Sequence, residues 1–333
     1  MKVIQASSQQ MKDTAKIVGN ATGGFVFKDG LDKVNWKLVR AMCNIGYSFM
    51  KKEKGVTFSS LDLNGIHGEL TRPDNRINDN IIMYLHGGGF VSGSAKATRA
   101  YCSVLARFSG YDVISIDYRL SPENIYPAAI EDCVKAFLAV HEQFPKAKIA
   151  LTGESAGGYL CLATAITLID MNEYLPACML PQSPICRIYG GLDRSYYEIK
   201  DNTVEPEAMD KGGIGDLFAP GCDKNDYRLD MRNFTQFSKM PPALISFDAN
   251  ETLRADAETI CALYQESGAE CDCIMIKGSF HACSTSSVGT PETFELMLDD
   301  IEFLRRHFND SYYERREDEN ICTADHAGVD HQK

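Results

Sequence analysis

Between a short apolar run at 149–152 and a helix-forming stretch that continues to Met171 stand Gly153-Glu154-Ser155-Ala156-Gly157-Gly158. A serine at such a strand-to-helix turn sits in a tight, strained backbone, and glycine at Gly153 and Gly157 lets strand and helix approach closely. Ser155 then projects into a cleft with a helix N-terminus behind it, and Ala156 offers a free N–H where negative charge would develop. Nucleophilic attack is the chemistry this arrangement suits. A second glycine-rich stretch, His86-Gly87-Gly88-Gly89-Phe90, follows the apolar run 81–85. Three consecutive glycines serve no regular element well, but they let a loop turn its amides toward an oxyanion.

A serine hydroxyl needs a base, and the base needs an acid to fix its tautomer. The chain has 7 histidines. His86 belongs to the glycine loop and braces it, His67, His141 and His307 fall on an edge strand or helices, and His326 and His331 fall in a charged tail. Only His281 follows a late strand. With the acid between serine and histidine in chain order, Asp248, Glu251 and Asp256 come into question after the strand that ends near 247. Asp256 belongs to the next helix, and spacing alone leaves Asp248 and Glu251 tied.

The elements that must position these groups alternate. Unalternating apolar runs at 81–85, 112–116, 149–152, 243–247 and 271–276 read as strands covered on both faces, with helices between them at about 95–108, 127–144 and 253–266. A final helix runs from Pro291 to about Phe308, with Thr290 as N-cap. This order argues an α/β fold with a mostly parallel sheet, whose ligands bind beyond the carboxyl ends of the strands. Weak alternation from Val56 to Leu70 suits an antiparallel edge pair. Residues 1–54 read as a helical segment preceding the first strand; Leu31, Val34, Leu38, Met42, Ile45 and Phe49 make one apolar helix face that must lie on something. Periodicity fails over about 184–238, which reads as a lid inserted in a domain spanning 55–308. Residues 309–333 are charged and aperiodic, the pattern of a disordered tail.

Composition narrows the partners. With 333 residues, 44% hydrophobic and 24% charged, the chain is ordinary globular protein. A formal charge of -12 without a basic cluster excludes nucleic acid and favours a small molecule. No apolar stretch reaches the length of a signal peptide or membrane span, so a soluble, cytoplasmic protein is expected. The 12 cysteines are scattered without a framework and are expected reduced and buried. Cys271-Asp272-Cys273 is the only close pair, no second pair stands at zinc spacing, and neither metal nor cofactor is expected. The oligomeric state is open, and a homodimer is allowed.

HGGGF at 86–90, DYRLSPE at 117–123, YPAAIED at 126–132, GESAGG at 153–158 and PPALI at 241–245 together resemble the hormone-sensitive-lipase-like branch of the α/β hydrolases, over roughly 56–308. The resemblance implies a carboxylesterase acting on short to medium acyl chains beneath an N-terminal helical cap. It makes Ser155 the nucleophile, His281 the base, and Gly88, Gly89 and Ala156 the oxyanion donors. Asn250-Glu251-Thr252-Leu253-Arg254 fits the branch's acidic motif with glutamate for aspartate, so Glu251 becomes the acid and Asp248 the runner-up. Glu154 for the usual aspartate, and Ala282-Cys283 for the usual Gly-Phe, depart from the pattern. An amide, formamide or lactone hydrolase using the same triad, or a non-catalytic small-molecule receptor like the plant gibberellin receptors, are the alternatives.

Overall fold

The computed structural model describes residues 1–22, 34–48, 50–199, 201, 203–204, 206, 209, 213–286 and 289–309. The chain begins with a short strand, β1 (Lys2–Gln5), then helices α1 (Gln9–Thr22) and α2 (Trp36–Ser48) and the hairpin strands β2 (Val56–Leu63) and β3 (Ile66–Pro73). Strands and helices then alternate: β4 (Ile81–Leu85), α3 (Arg99–Ser109), β5 (Asp112–Ile116), α4 (Ala128–Gln143), β6 (Ile149–Glu154), α5 (Ala156–Met171) and β7 (Cys178–Gln182). After an insertion containing the short helix α6 (Ile214–Phe218) come β8 (Ala243–Asp248), α7 (Arg254–Ser267), β9 (Cys271–Lys277), the turn α8 (Cys283–Ser286) and α9 (Pro291–Phe308).

The nine strands form one sheet in the order β1-β9-β8-β7-β6-β4-β5-β3-β2. Only the pairs β2–β3 and β3–β5 are antiparallel. β4, β5, β7 and β8 are buried at every position, as apolar runs without alternation require when both faces are covered. Two apolar layers supply the cover: α4, α5 and α7 pack one face, α1, α3 and α9 the other. The α/β architecture is the one the alternation of patterns implies. No helix among the described residues is long and apolar enough to cross a membrane.

The N-terminal segment departs from expectation twice. Residues 2–5 are not helical but pair in parallel with β9 at the sheet edge, placing Ile4 in the core. Four residues are too few to show a period, so sequence reading had no signal for this strand. The expected helix exists but begins at Trp36, and the face assigned to burial is exposed: Leu38, Met42 and Ile45 are 57%, 54% and 61% accessible. Trp36 is buried instead, and Arg40 turns inward to donate to the carbonyls of Val91 and Ser121 (both 2.6 Å) while pairing with Glu123 (2.7 Å). Three acceptors for one guanidinium set the helix rotation more firmly than the apolar count does. Leu31, Phe49 and the expected tail beyond 309 lie outside the described residues.

Two further expectations fail. β7, Cys178-Met179-Leu180-Pro181-Gln182, lies at the edge of the stretch where periodicity stops and escaped notice, yet it is central to the sheet. The cysteines are not all free thiols: Cys102, Cys133 and Cys161 are, but Cys261 of α7 and Cys273 of β9 form a disulfide. Scattered spacing hid this pair because helix and strand meet only in the folded sheet.

Beneath β7 lies a buried polar group with poor compensation. Gln182 Nε2 donates to the Tyr101 hydroxyl (3.0 Å) and, at 3.5 Å, to Asp300 Oδ2 on α9, while Asp300 Oδ1 has no partner among the described residues. Burial pushes the Asp300 carboxyl up to about 8. A carboxyl raised in the fold is accommodated protonated, so the fold is fully supported at acid pH and loses stability as pH rises from the ordinary carboxyl range through about 8. Asp300→Asn keeps the shape without the charge. It should raise the melting temperature by several degrees at about pH 9 and little at about pH 5, in calorimetry across that range; a gain independent of pH would contradict the account.

Candidate active site

At the carboxyl edge of the sheet, β6 passes into α5 through Ser155, whose φ of 57° and ψ of -118° lie outside the regions that side-chain-bearing residues favour. Such a conformation costs about 1–3 kcal/mol and persists only where its surroundings enforce it. Here they do. A Cβ at Gly153 or Gly157 would collide with the carbonyl oxygen of Leu85 on β4, so only glycine lets α5 start where it does. The Ser155 N–H is held by the Gln182 carbonyl at 2.9 Å. Its side chain is partly exposed, and its hydroxyl makes no hydrogen bond among the described residues.

The glycine loop follows β4. Gly88 and Gly89 have φ of 106° and 60°, and a Cβ on Gly88 would stand 2.5 Å from the Ser92 carbonyl oxygen. That carbonyl geometry is closed by Val91 and Ser92, whose N–H groups donate to Gly88 O (3.1 and 3.0 Å). His86 is buried, stacked on Tyr118 with ring centroids 4.2 Å apart, and its Nδ1 lies 2.8 Å from Gly87 O. These contacts set the ring between Tyr118 and the first glycine of the loop. The N–H groups of Gly88, Gly89 and Ala156 donate to nothing among the described residues.

One contributor was not anticipated. Glu154, read in the sequence only as a departure from aspartate, accepts from the Tyr84 hydroxyl and, at 2.7 Å, from the Gly87 N–H. It thus links the residue before Ser155 to the start of the glycine loop. Burial pushes its carboxyl up to about 7 despite these bonds. An acid next to a candidate nucleophile was the available signal, and strand geometry, not spacing, decides what it touches.

His281 stands in the loop after β9 and is only 7% accessible. Its Nδ1 lies 2.7 Å from Glu251 Oε2, and Glu251 Oε1 accepts from the Asp248 N–H at 3.2 Å. Burial by itself would lower the imidazole pKa, but the hydrogen bond and charge of Glu251 outweigh it and hold the pKa above its usual value. Burial likewise raises the Glu251 carboxyl against the pull of His281. Asp248 has other duties: Oδ2 accepts from the N–H (3.0 Å) and hydroxyl (2.5 Å) of Ser279, and Oδ1 from the Asn250 N–H (2.7 Å). It ties the histidine loop to β8. Asp256 faces away, paired with Arg194 at 2.8 Å and accepting from the N–H groups of Cys186 and Arg187. Asp201 of the insertion, unremarked in the sequence, holds the Thr252 N–H at 3.0 Å beside Glu251.

The two halves of the site meet on β7. Gln182 O binds the elbow through Ser155 N–H, and the next residue, Ser183, accepts the Ala282 N–H at 3.2 Å through its hydroxyl. Gln182 Oε1 also accepts from Ser284. Serine and histidine segments are thus anchored to the last residue of β7 and the one that follows it. Ala282 adopts φ of 52°, a left-handed position that glycine fills without strain, so the departure from the usual Gly after the histidine carries a backbone cost.

Residues 82–285 match the family described as alpha/beta hydrolase fold. The acetyl-hydrolase of Streptomyces hygroscopicus is 31% identical over 184 residues, 54% of this chain and 60% of that protein. The versiconal hemiacetal acetate esterase of Aspergillus parasiticus is 33% identical over 127 residues, 38% of this chain and 40% of its own length. The chain thus spans about half the length of these curated relatives. Among solved structures, an esterase from the bacterial hormone-sensitive lipase family is 25% identical with a TM-score of 0.80, covering 91% of this chain and 99% of that one. This is the branch that the motifs resemble.

If Glu251 rather than Asp248 sets the state of the imidazole, Glu251→Gln should lower the His281 pKa, because the largest opposition to burial is removed and only the charges of Asp201 and Glu154 still raise it, while Asp248→Asn should move it much less. Nitrogen-15 NMR titration of the ring reads both, and a larger shift in Asp248→Asn would reverse the assignment.

Proposed function

Because the chain belongs to the alpha/beta hydrolase fold family, we propose that it is a serine carboxylic-ester hydrolase acting on short-chain, acetyl-like esters of small molecules. The observation that carries the proposal is the buried His281–Glu251 pair at 2.7 Å, anchored through β7 to the strained turn at Ser155. Ser155 attacks the ester carbonyl as His281 Nε2 takes its proton, and Glu251 holds the other ring nitrogen as an N–H donor, fixing the tautomer. The oxyanion is received by the N–H groups of Gly88, Gly89 and Ala156, with the N-terminus of α5 adding its dipole. His281 returns the proton to the leaving alcohol, and the acyl-enzyme is then hydrolysed by water activated through the same imidazole. No cofactor enters these steps.

Support for an acetyl-like acyl group comes from the relatives titled acetyl-hydrolase and acetate esterase. The proposal takes the enzyme to be cytoplasmic, with a homodimer allowed.

Ser155→Ala should reduce turnover of p-nitrophenyl acetate by on the order of 10⁴-fold or more, with binding of the ester little changed; equal rates would end the proposal. Since the base must be unprotonated, the acid limb of kcat/KM should fall off with an apparent pKa above the usual 6.5 of histidine. In Glu251→Gln that limb should move to lower pH while the plateau drops by roughly 10³–10⁴-fold, read from a pH–rate profile.

A further inference from the structure

Away from the cleft, Cys261 joins the close pair Cys271 and Cys273. The sulfur atoms of Cys261, Cys271 and Cys273 all lie within 4.8 Å of one another and are partly buried. Cys271 and Cys273 alternate along β9 and so share one face, with Sγ atoms 3.8 Å apart; Cys261 reaches them from α7. They line a cavity of about 830 Å³ between α7, α9 and the β9–β1 edge, together with Glu258, Asp272, Asp299 and Glu302. Lys2 and Arg306 also line it, paired with Asp299 and Asp272 at 2.5 Å each.

We propose that, once the Cys261–Cys273 disulfide is reduced, these three thiols form a binding site for a thiophilic cation of the zinc type. Geometry is the first support. Two thiolates bound tetrahedrally to one zinc at about 2.3 Å stand about 3.8 Å apart, and Cys271 and Cys273 already hold that separation. Rigidity is the second. β9 is paired on both sides, with β8 and β1, and α7 packs against β8 and β9, so the three ligands come from elements that need little rearrangement.

In this structure the site is in its oxidised form. A phosphine reductant and one water convert the disulfide to two thiols and the phosphine to its oxide, a balanced two-electron step. On binding, the thiols release their protons, so the cation is exchanged for protons. This site lies apart from Ser155 and is independent of the proposed esterase activity.

The test uses the full chain, reduced with a phosphine and freed of metal, titrated with zinc in competition with a chromophoric chelator. One equivalent should bind, while the oxidised chain binds none. Cys271→Ser and Cys273→Ser should each weaken binding by on the order of 100-fold or more, whereas Cys222→Ser should not. Alkylation mapped by mass spectrometry gives a second reading on the unmutated chain: zinc should slow modification of Cys261, Cys271 and Cys273 and of no other cysteine. Uptake of less than about a tenth of an equivalent, equal affinity in the serine variants, or unchanged alkylation of the three would overturn the proposal.

Discussion

One close approach governs the site: helix α5 starts against the carbonyl oxygen of Leu85, where no side chain fits at Gly153 or Gly157. That contact forces the backbone at Ser155 to φ of 57° and turns the serine outward while pointing the first helical amides the same way. The strain, about 1–3 kcal/mol, is offset by a strand buried over its first five residues on one side and a helix buried from Ala156 to Ile166 on the other. A helix start with ordinary side chains at these positions would sit farther from β4, and neither the serine nor the Ala156 amide would face the glycine loop.

β7 converts that local turn into a site. Its last residue and the one following bind the elbow and the histidine loop, while the Gln182 side chain reaches Tyr101, Ser284 and Asp300. The strand therefore works as a common reference for groups contributed by distant parts of the chain. Glu154 plays a parallel part on the other side by joining β6 to the glycine loop. Both devices place carboxyl groups where water cannot fully solvate them, which is why Glu154 and Asp300 are raised to about 7 and about 8. Positioning is obtained here at the cost of buried acids.

Two arginines fasten neighbouring segments to the loops around the site, alongside the apolar residues of the insertion, such as Phe218, Met231 and Phe237, that are buried in the main core. Arg40 fastens α2 to Val91 O and Ser121 O beside the glycine loop, and Arg194 fastens the insertion to Asp256 and, at 2.9 Å, to the Thr252 carbonyl beside Glu251. Losing one partner of the buried Arg194–Asp256 pair would leave an uncompensated buried charge between the insertion and α7.

How much of this was legible depends on the range of the interaction. The elbow, the glycine loop, the strands without alternation and the candidates Ser155 and His281 could be read from residue type and near spacing, because strand burial and tight turns are local demands on sequence. β7 and β1 could not, since a proline-bearing strand at the end of a patterned region and a four-residue edge strand carry almost no periodic signal. The tied acids show the division most clearly. Asp248 and Glu251 are three residues apart and chemically alike; spacing leaves them tied, the motif resemblance at 250–254 favours Glu251, and the path of β9 beside β8 delivers Ser279 to one and His281 to the other. The rotation of α2 and the meeting of Cys261 with Cys273 were likewise decided by the tertiary structure, because their partners lie on other elements whose distance along the chain says nothing of their distance in space.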